Sequence, residues 1–283
     1  MSTSDPKPSA SARIAQAIRN DIESGRLRDG ERLASTRDLA KEWSASQRTV
    51  TEAMDLLGKD GYISSQNRSG RFVTTPTAVS LTLASPLRTI RPRVVYVGGY
   101  AGSGKSEFAR TLARMTNWAI LDKDTIARPL IEPALEDLGE SINDRESDTY
   151  LKRLRPREYE ALEGVVADNV AVGNSAIATA PYIREFTSRT WLDRVVAQNE
   201  TYRVDTTFIW VRCSLESMLF FLRKRGAGRD TAKLADWDRY SAGLDLDFRP
   251  EADHVVIDND LDSPPMRVQA EQLIDSFRHQ AAK

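Results

Sequence analysis

The sequence has few of the residues that form disulfides or hold transition metals. Its 283 residues include one cysteine, Cys213, and two histidines. A single cysteine excludes a disulfide within the chain and favours a reducing cytoplasm as the expected location. So few sulfur and imidazole ligands also give no indication of a structural zinc site.

Long apolar runs are missing as well. No stretch approaches the roughly 18 consecutive apolar residues of a membrane-spanning helix. The start, MSTSDPKPSASAR, lacks the apolar centre of a signal peptide. With 40% hydrophobic and 29% charged residues, a chain of this length is able to bury two ordinary cores. We therefore expect a soluble protein of two domains that does not associate with a membrane.

Acidic residues are absent from one long segment. No Asp or Glu occurs from Gly61 to Ser106, a segment that contains five arginines and Lys105. Residues 1–92 carry 14 basic and 10 acidic side chains, whereas the remainder carries 26 basic and 31 acidic ones. The first third is the basic part, and a polyanion can approach it without like-charge repulsion.

A change of composition marks the boundary between the two parts. The segment TTPTAVSLTLASPLRTIRP, from Thr74 to Pro92, is rich in Thr, Ser and Pro and follows neither the helical nor the strand period. We predict a disordered N-terminus over residues 1–10, a first domain over 11–75, a linker over 76–92 and a second domain over 93–283.

The first domain shows the pattern of three helices and a hairpin. Apolar residues recur at helical spacing from Ser11 to Glu23, Ser35 is the expected N-cap of a second helical pattern, and a third helix is expected to begin near Ser46. An alternating segment then surrounds a turn near residues 67–70. This order predicts an α+β winged helix-turn-helix.

Several motifs of this domain closely resemble the DNA-binding domain of the GntR family of bacterial transcription regulators. They are S-T-R-x-L-A, S-x-x-T-V-x-x-A-x-x-x-L, G-Y-I and S-G-x-F-V, within residues 35–73. One departure is Ala34, where family members usually have a proline. The resemblance implies a domain that binds double-stranded operator DNA.

The predicted DNA contacts lie on the second and third helices and on the hairpin. The start of the third helix would enter the major groove, and the arginines would reach phosphates or the minor groove. The predicted DNA-binding residues are Arg37, Gln47, Arg48, Thr49, Thr51, Arg68, Gly70 and Arg71. For each arginine, a merely solvated surface remains the alternative. Because such domains bind pseudo-palindromes in pairs, we expect a homodimer.

The second domain opens on a phosphate-binding pattern. The segment GGYAGSGKS, from Gly98 to Ser106, satisfies G-x-x-x-x-G-K-[ST] and lies between a strand-like run, RVVYV, and a helical pattern. Such a loop points backbone N–H groups at phosphates, its lysine reaches the β and γ phosphates, and its serine hydroxyl binds Mg²⁺. The predicted ATP-binding residues are Gly99, Ala101, Gly102, Ser103, Gly104, Lys105, Ser106 and Glu107.

Two carboxylates follow the next predicted strand. Asp122 and Asp124 end the segment WAILDKD, at the edge of a parallel sheet where ligands bind. One of them would accept a proton from a substrate hydroxyl or hold Mg²⁺, and we assign the metal site to Ser106 and Asp122. For Asp124, a helix N-cap is the alternative.

This arrangement resembles the P-loop small-molecule kinases, which include chloramphenicol phosphotransferase, gluconate kinase and the zeta toxins. The resemblance implies that Lys105, Asp122 and Asp124 are catalytic and that Arg128 clamps a phosphoryl acceptor. The segment RKRGAGRD resembles the mobile lid of nucleoside-monophosphate-type kinases, which implies that Arg225 and Arg229 face the γ phosphate. A solvated basic helix end is the alternative for these arginines.

The remaining patterns predict the rest of an α/β P-loop NTPase with an open parallel sheet of about five strands. Strands are expected over residues 174–182, 206–213 and 254–258, and Tyr182 and Arg184 are expected to line a substrate pocket. For Arg184, a position on the surface of a helix is the alternative. No strand has the four-apolar-then-Asp ending of motor-type ATPases in its usual place.

Two functions remain open at this point. The chain is either a regulator whose kinase-like domain binds ATP as an effector, or a small-molecule kinase that controls its own operon. A zeta-like toxin fused to its repressor is a third hypothesis.

Overall fold

The computed structural model describes residues 8–66, 70–74, 76 and 91–281. The first domain contains α1 (Ala10–Glu23), α2 (Thr36–Glu42), α3 (Gln47–Lys59), β1 (Ile63–Gln66) and β2 (Gly70–Val73). Each of the three helices begins after a serine whose hydroxyl accepts a hydrogen bond from a backbone N–H; these serines are Ser9, Ser35 and Ser46. The predicted cap, Ser35, and the predicted start of the third helix near Ser46 are therefore confirmed.

The core of the first domain lies between its three helices and the strand pair. Ile22 of α1 and Val50 and Leu57 of α3 are completely buried in it. The strands β1 and β2 pair antiparallel, with Ile63 opposite Val73, and both side chains are buried in the same core. The predicted winged helix-turn-helix is confirmed. Most of the predicted linker and N-terminus lies outside the described residues, as does Arg68.

The second domain alternates strands with helices. Its elements are β3 (Arg93–Gly98), α4 (Lys105–Thr116), β4 (Ala119–Asp122), α5 (Lys123–Asp137), a π-helical turn (Tyr150–Leu154), α6 (Arg155–Ala171), β5 (Ala176–Thr179), α7 (Ile183–Phe186), α8 (Arg189–Thr201), β6 (Asp205–Arg212), α9 (Leu215–Arg225), a 3-10 turn (Gly228–Asp230), α10 (Thr231–Ala235), α11 (Trp237–Ala242), β7 (His254–Asp258) and α12 (Met266–Ala281).

The five strands of this domain form one parallel sheet in the order β4, β5, β3, β6, β7. Every residue of the central strand β3 is buried, because helices cover both faces. Val95 and Val97 pack with α4 and α12, while Val94 and Tyr96 pack with α6 and α8. The predicted open parallel sheet is confirmed.

The connectivity places three candidate segments at one edge of the sheet. The glycine-rich loop follows β3, Asp122 ends β4, and the arginine-rich segment lies beyond β6 and α9. Since all five strands are parallel, their carboxyl ends meet at this edge, where ligands bind in sheets of this kind.

Candidate nucleotide site and its contact with the winged helix domain

The glycine-rich loop has a backbone that only glycine accommodates. Gly99, Gly102 and Gly104 have φ angles of +155°, +85° and +91°. A Cβ atom at Gly99 would lie 2.6 Å from the carbonyl oxygen of Val211, and one at Gly104 would lie 2.2 Å from Nδ2 of Asn259. The loop is therefore closely packed from behind, and α4 begins directly after it, with its free N–H groups at the loop.

Lys105 is the first residue of α4. Its Nζ donates to the carbonyl oxygen of Tyr100 at 3.4 Å and forms no ion pair with the described residues. Burial, assisted by the charge of Arg225, lowers the pKa of Lys105 to about 8. An anionic ligand beside the ammonium group would oppose this effect, because it favours the charged form.

Asp122 joins the loop to the second strand. Its Oδ2 accepts a hydrogen bond from the hydroxyl of Ser106 at 3.0 Å, and its Oδ1 accepts from the backbone N–H groups of Asp124 and Thr125. Asp122 is therefore the N-cap of α5. The N-cap that the sequence considered for Asp124 belongs to Asp122 instead, because Asp124 already lies within the first turn of the helix.

Ser106 and Asp122 fit a Mg²⁺ site. Hydroxyl and carboxylate oxygens are the ligands that Mg²⁺ takes from proteins, and it usually keeps water and phosphate oxygens as its other ligands. Within the described residues, no group of three or more His, Cys, Asp or Glu side chains is placed to hold a metal. This sparse set of protein oxygens suits a metal held together with phosphates.

Asp124 is surrounded by cations. Its carboxylate pairs with Nζ of Lys123 at 3.0 Å and with Nη1 of Arg229 at 2.5 Å. Burial by itself would raise the pKa of Asp124, but the charges of Lys123 and Arg229 hold it well below the usual value. The carboxylate form of Asp124 is therefore favoured, and it can accept a hydrogen bond from a hydroxyl group.

Lys123 was not identified from the sequence as a site residue. It is buried, and its Nζ donates to Oε2 of Glu158 at 2.6 Å, while the Tyr150 hydroxyl donates to the same oxygen at 2.7 Å. This network fixes the cation beside Asp124. The sequence feature that could have identified Lys123 is its position between the two aspartates of the segment DKD.

Two arginines of the predicted lid, Arg225 and Arg229, line the site, and both are paired. Arg225 donates to Oδ2 of Asp230, which is buried, and Arg229 pairs with Asp124. Arg128 is exposed on α5, and its guanidinium group forms no hydrogen bond or ion pair within the described part of the chain.

These side chains surround a cavity of about 510 Å³. The residues of the predicted site that line it are Gly102, Gly104, Lys105, Ser106, Glu107, Asp122, Asp124, Arg128, Arg225 and Arg229. Gly99, Ala101 and Ser103 belong to the loop but do not line the cavity. Ser103 is buried, and its hydroxyl has no hydrogen-bond partner among the described residues.

The expected contribution of Tyr182 and Arg184 to a substrate pocket is wrong. Tyr182 is 1% exposed and stacks on Phe186 with ring centroids 5.2 Å apart. Neither Tyr182 nor Arg184 lines the cavity. The side chain of Tyr182 is large and apolar enough to complete the aromatic core behind β3.

The first domain contributes a wall to the same cavity. Ala17 and Asp21 of α1, together with Arg26 and Glu42, line it along with the loop residues. This wall was not predicted, because the sequence gives no information about how two domains dock.

Ion pairs hold the two domains together at this wall. Nζ of Lys224 lies 2.5 Å from Oδ2 of Asp21, and Arg26 contacts both Asp21 at 3.1 Å and Glu107 at 3.3 Å. Burial next to Asp21 raises the pKa of Glu107 to about 7. Glu107 therefore belongs to the domain contact as well as to the loop.

Further contacts lie away from the cavity. Arg114 of α4 donates to the carbonyl oxygens of Ile22 and Glu23 at 2.8 and 3.0 Å, at the end of α1. The rings of Trp43 and Phe220 lie 4.7 Å apart between centroids. Both domains therefore share one packed interface.

The predicted DNA contacts lie mostly on exposed positions of the first domain. Arg37, Gln47, Arg48 and Thr51 are exposed, and the side chain of Arg48 is 89% accessible. Thr49 is half-buried, and its hydroxyl hydrogen-bonds that of Ser46.

The two described hairpin positions also have defined roles in the fold. Gly70 has a φ angle of +103°, and Arg71 donates to the Thr36 hydroxyl at 2.8 Å, which ties the hairpin to α2. Arg71 is therefore half-buried, unlike the exposed arginines of the helices.

Comparisons with known families match both parts of the chain. Residues 94–246 match the family described as AAA domain, and residues 10–73 match the bacterial regulatory proteins of the gntR family. In addition, no helix in the described ranges combines the length and the apolar character needed to cross a membrane.

Two relatives are HTH-type transcriptional regulators. YdcR of Escherichia coli K12 is 33% identical over 87 residues, which is 31% of this chain and 18% of that protein. YdhC of Bacillus subtilis 168 is 25% identical over 146 residues, which is 51% of this chain and 55% of that protein. The chain thus spans less than a fifth of one relative and about half of the other.

Among solved structures, a sugar kinase from a Janibacter species matches with a TM-score of 0.44 and 22% identity, covering 65% of this chain and 95% of that one.

Through residues 94–246 the chain belongs to the AAA domain family, with a P-loop kinase-like fold, and at residues 10–73 it carries the helix-turn-helix domain of the GntR family of bacterial regulators.

Proposed function

We propose that this chain is a DNA-binding transcription regulator whose second domain binds ATP with Mg²⁺ as the effector. The observation that carries this proposal is the shared cavity. It is lined both by the glycine-rich loop with Lys105 and Ser106 and by residues of α1 of the winged helix domain. A ligand in this cavity touches both domains, so its binding energy acts on their arrangement.

In this proposal the phosphates lie on the loop. The N–H groups at the start of α4 and the ammonium group of Lys105 bind the phosphate oxygens. Ser106 and Asp122 hold Mg²⁺, which neutralises phosphate charge when bound. Arg225 and Arg229 also line the cavity, and their guanidinium groups add positive charge beside the phosphates.

The proposed DNA contact is made by the start of α3, the exposed Arg37 of α2 and the hairpin. Gln47 and Arg48 are at the first turn of α3, where side chains of a recognition helix reach base edges. A homodimer would present two such helices to a pseudo-palindromic operator.

Nucleotide-dependent DNA binding tests this proposal. Titration of the wild-type chain on DNA from its own promoter, followed by fluorescence anisotropy, is expected to give different affinities with and without ATP-Mg²⁺. The variant Lys105→Ala is expected to retain the nucleotide-free affinity and to lose the difference. Identical wild-type titrations with and without nucleotide would count against the effector role.

A second candidate function is phosphoryl transfer to a small hydroxyl compound. It is favoured by the placement of Asp124 in the same cavity as the loop, together with Arg128, which has no partner among the described residues. Asp124 would orient the acceptor hydroxyl, and Arg128 would bind an acidic group of the acceptor.

Asp124→Asn separates the two functions. If the chain is a kinase, this variant is expected to bind ATP with an affinity within a few-fold of wild type and to lose at least about 100-fold in transfer rate. If wild type hydrolyses ATP at a rate that no tested acceptor increases, phosphoryl transfer is not supported and the effector role remains as the function.

A further inference from the structure

The docked winged helix domain places negative charge against the cavity in which we propose that the triphosphate binds. We propose that nucleotide and domain docking are antagonistic: the nucleotide competes for the cations that hold the first domain, and its binding releases that domain. This inference rests on the proposed nucleotide function and names its regulation.

The wall contributed by the first domain is net acidic. It presents the carboxylates of Asp21 and Glu42 and the single guanidinium group of Arg26. A triphosphate is a strong anion even with Mg²⁺, so this wall opposes its entry while the domain is docked.

Lys224 lines the cavity but is held by the first domain. Its Nζ pairs with Asp21 at 2.5 Å, and it lies 4.7 Å from the centre of the Trp43 ring. Both members of the pair are nearly buried, with side-chain exposures of 14% and 6%. A phosphate that attracts Lys224 leaves Asp21 as a buried charge with one fewer partner, which strongly disfavours the docked state.

Arg26 is shared in the same way. It bridges Asp21 and Glu107, which lie on opposite sides of the domain contact. Glu107 is in the first turn of α4, directly after the loop that would bind the phosphates. The two carboxylates depend on Arg26 and Lys224 for neutralisation, and both cations line the cavity.

Other contacts keep the domain docked when no nucleotide is bound. They include the Arg114 hydrogen bonds to the end of α1 and the packing of Trp43 on Phe220. The exposed ion pair of Arg13 with Glu216 at 3.0 Å also crosses the interface but contributes little to docking. The nucleotide therefore acts on the charged part of an interface whose remaining contacts set the resting state. By linkage, docking lowers nucleotide affinity by the same factor as nucleotide weakens docking.

The test uses the full chain and a non-hydrolysable ATP analogue with Mg²⁺, measured by isothermal titration calorimetry. Asp21→Asn is expected to bind the analogue about 5- to 20-fold more tightly than wild type. The matched control, Glu216→Gln, removes an interdomain carboxylate outside the cavity and is expected to change affinity by less than about 3-fold.

Hydrogen exchange on the unaltered wild-type chain provides a second measurement that does not depend on a variant. Amides of α1 are expected to exchange faster when the analogue is added. Slower exchange of α1 with the analogue, or an Asp21→Asn affinity equal to or weaker than wild type, would overturn the antagonism.

The two proposals fail in different ways. If neither wild type nor Asp21→Asn binds the analogue, both the nucleotide function and the antagonism are wrong. If both bind it with the same affinity and α1 exchange is unchanged, nucleotide binding stands and the antagonism alone is wrong.

Discussion

At the scale of single residues, the site depends on glycines, which have no side chain, as much as on the charged side chains around them. The glycine-rich loop is closely packed against Val211, Asn259 and α9, so a methyl group at its glycines has no space. Lys105 and Ser106 occupy the positions that the motif predicts. Lys123 and Glu107, which set the charge around them, carry no motif of their own.

Gly104→Ala is expected to abolish tight nucleotide binding and to destabilise the chain by about 1–3 kcal/mol, since the new Cβ would meet Asn259 at a φ of +91°. Calorimetric titration and urea denaturation measure the two effects. The control is Gly164→Ala in α6, where nothing lies within 4 Å of the added Cβ; it is expected to leave nucleotide binding unchanged. Wild-type affinity in Gly104→Ala would contradict this account of the loop.

We expect the folding stability of the chain to depend on pH through Glu23. Burial raises its pKa above 4.5, even though the hydrogen bond from Tyr62 and the charges of Arg267 and Arg19 lower it. Above pH 4.5 the unfolded carboxyl group loses its proton before the folded one does. The contribution of Glu23 to the free energy of unfolding therefore falls as the pH rises from 4.5 to the raised pKa.

The variant Glu23→Gln is expected to lack this component of the pH dependence. Urea denaturation of both proteins at several pH values between 4 and 8 measures it. The stability of the variant relative to wild type should increase with pH across the window, whereas parallel curves would show that Glu23 titrates alike in both states.

At the scale of the elements, local chemistry was sufficient to locate the helices of the first domain. Serine caps and apolar spacing predicted α2 and α3, and both begin directly after the predicted serines. The N-cap of α5 was harder to assign, because the segment DKD offers two aspartates within three residues. Asp122 caps the helix because its backbone is still extended, with φ of −94° and ψ of 122°.

Ser46→Ala removes the cap of the helix proposed to read DNA. Its hydroxyl accepts from the backbone N–H of Thr49 at 3.0 Å, so the variant is expected to lose about 1 kcal/mol of unfolding free energy. Urea denaturation measures this loss. Ser65→Ala, at an exposed position of β1, is the control and should remain within about 0.5 kcal/mol of wild type; equal effects of both changes would contradict a capping role.

At the scale of the whole molecule, the decisive feature is the docking of α1 on α4 and α12 beside the cavity. It turns a nucleotide-binding fold and a DNA-binding fold into one unit with a shared site. The contacts that do this are ion pairs at the cavity and hydrogen bonds and aromatic packing outside it.

Arg114→Met is expected to weaken this docking without altering the cavity, because Arg114 bonds the end of α1 and does not line the cavity. Differential scanning calorimetry should show a broader or split unfolding transition, since the domains would then unfold less cooperatively. Arg157→Met, which removes an exposed ion pair within α6, is the control. One sharp transition in both variants, at the wild-type temperature, would show that Arg114 contributes nothing to docking.

Local spacing along the chain was sufficient to predict the two folds, the cap of α2 and the phosphate-binding loop, because each depends on residues a few positions apart. The packing of distant segments established that Tyr182 is core, that Lys123 and Arg229 hold Asp124, and that α1 forms a wall of the cavity. The pairs Arg26–Glu107 and Lys224–Asp21 span 81 and 203 residues of sequence. Such contacts arise from the packing of complete surfaces, for which no local spacing provides a signal.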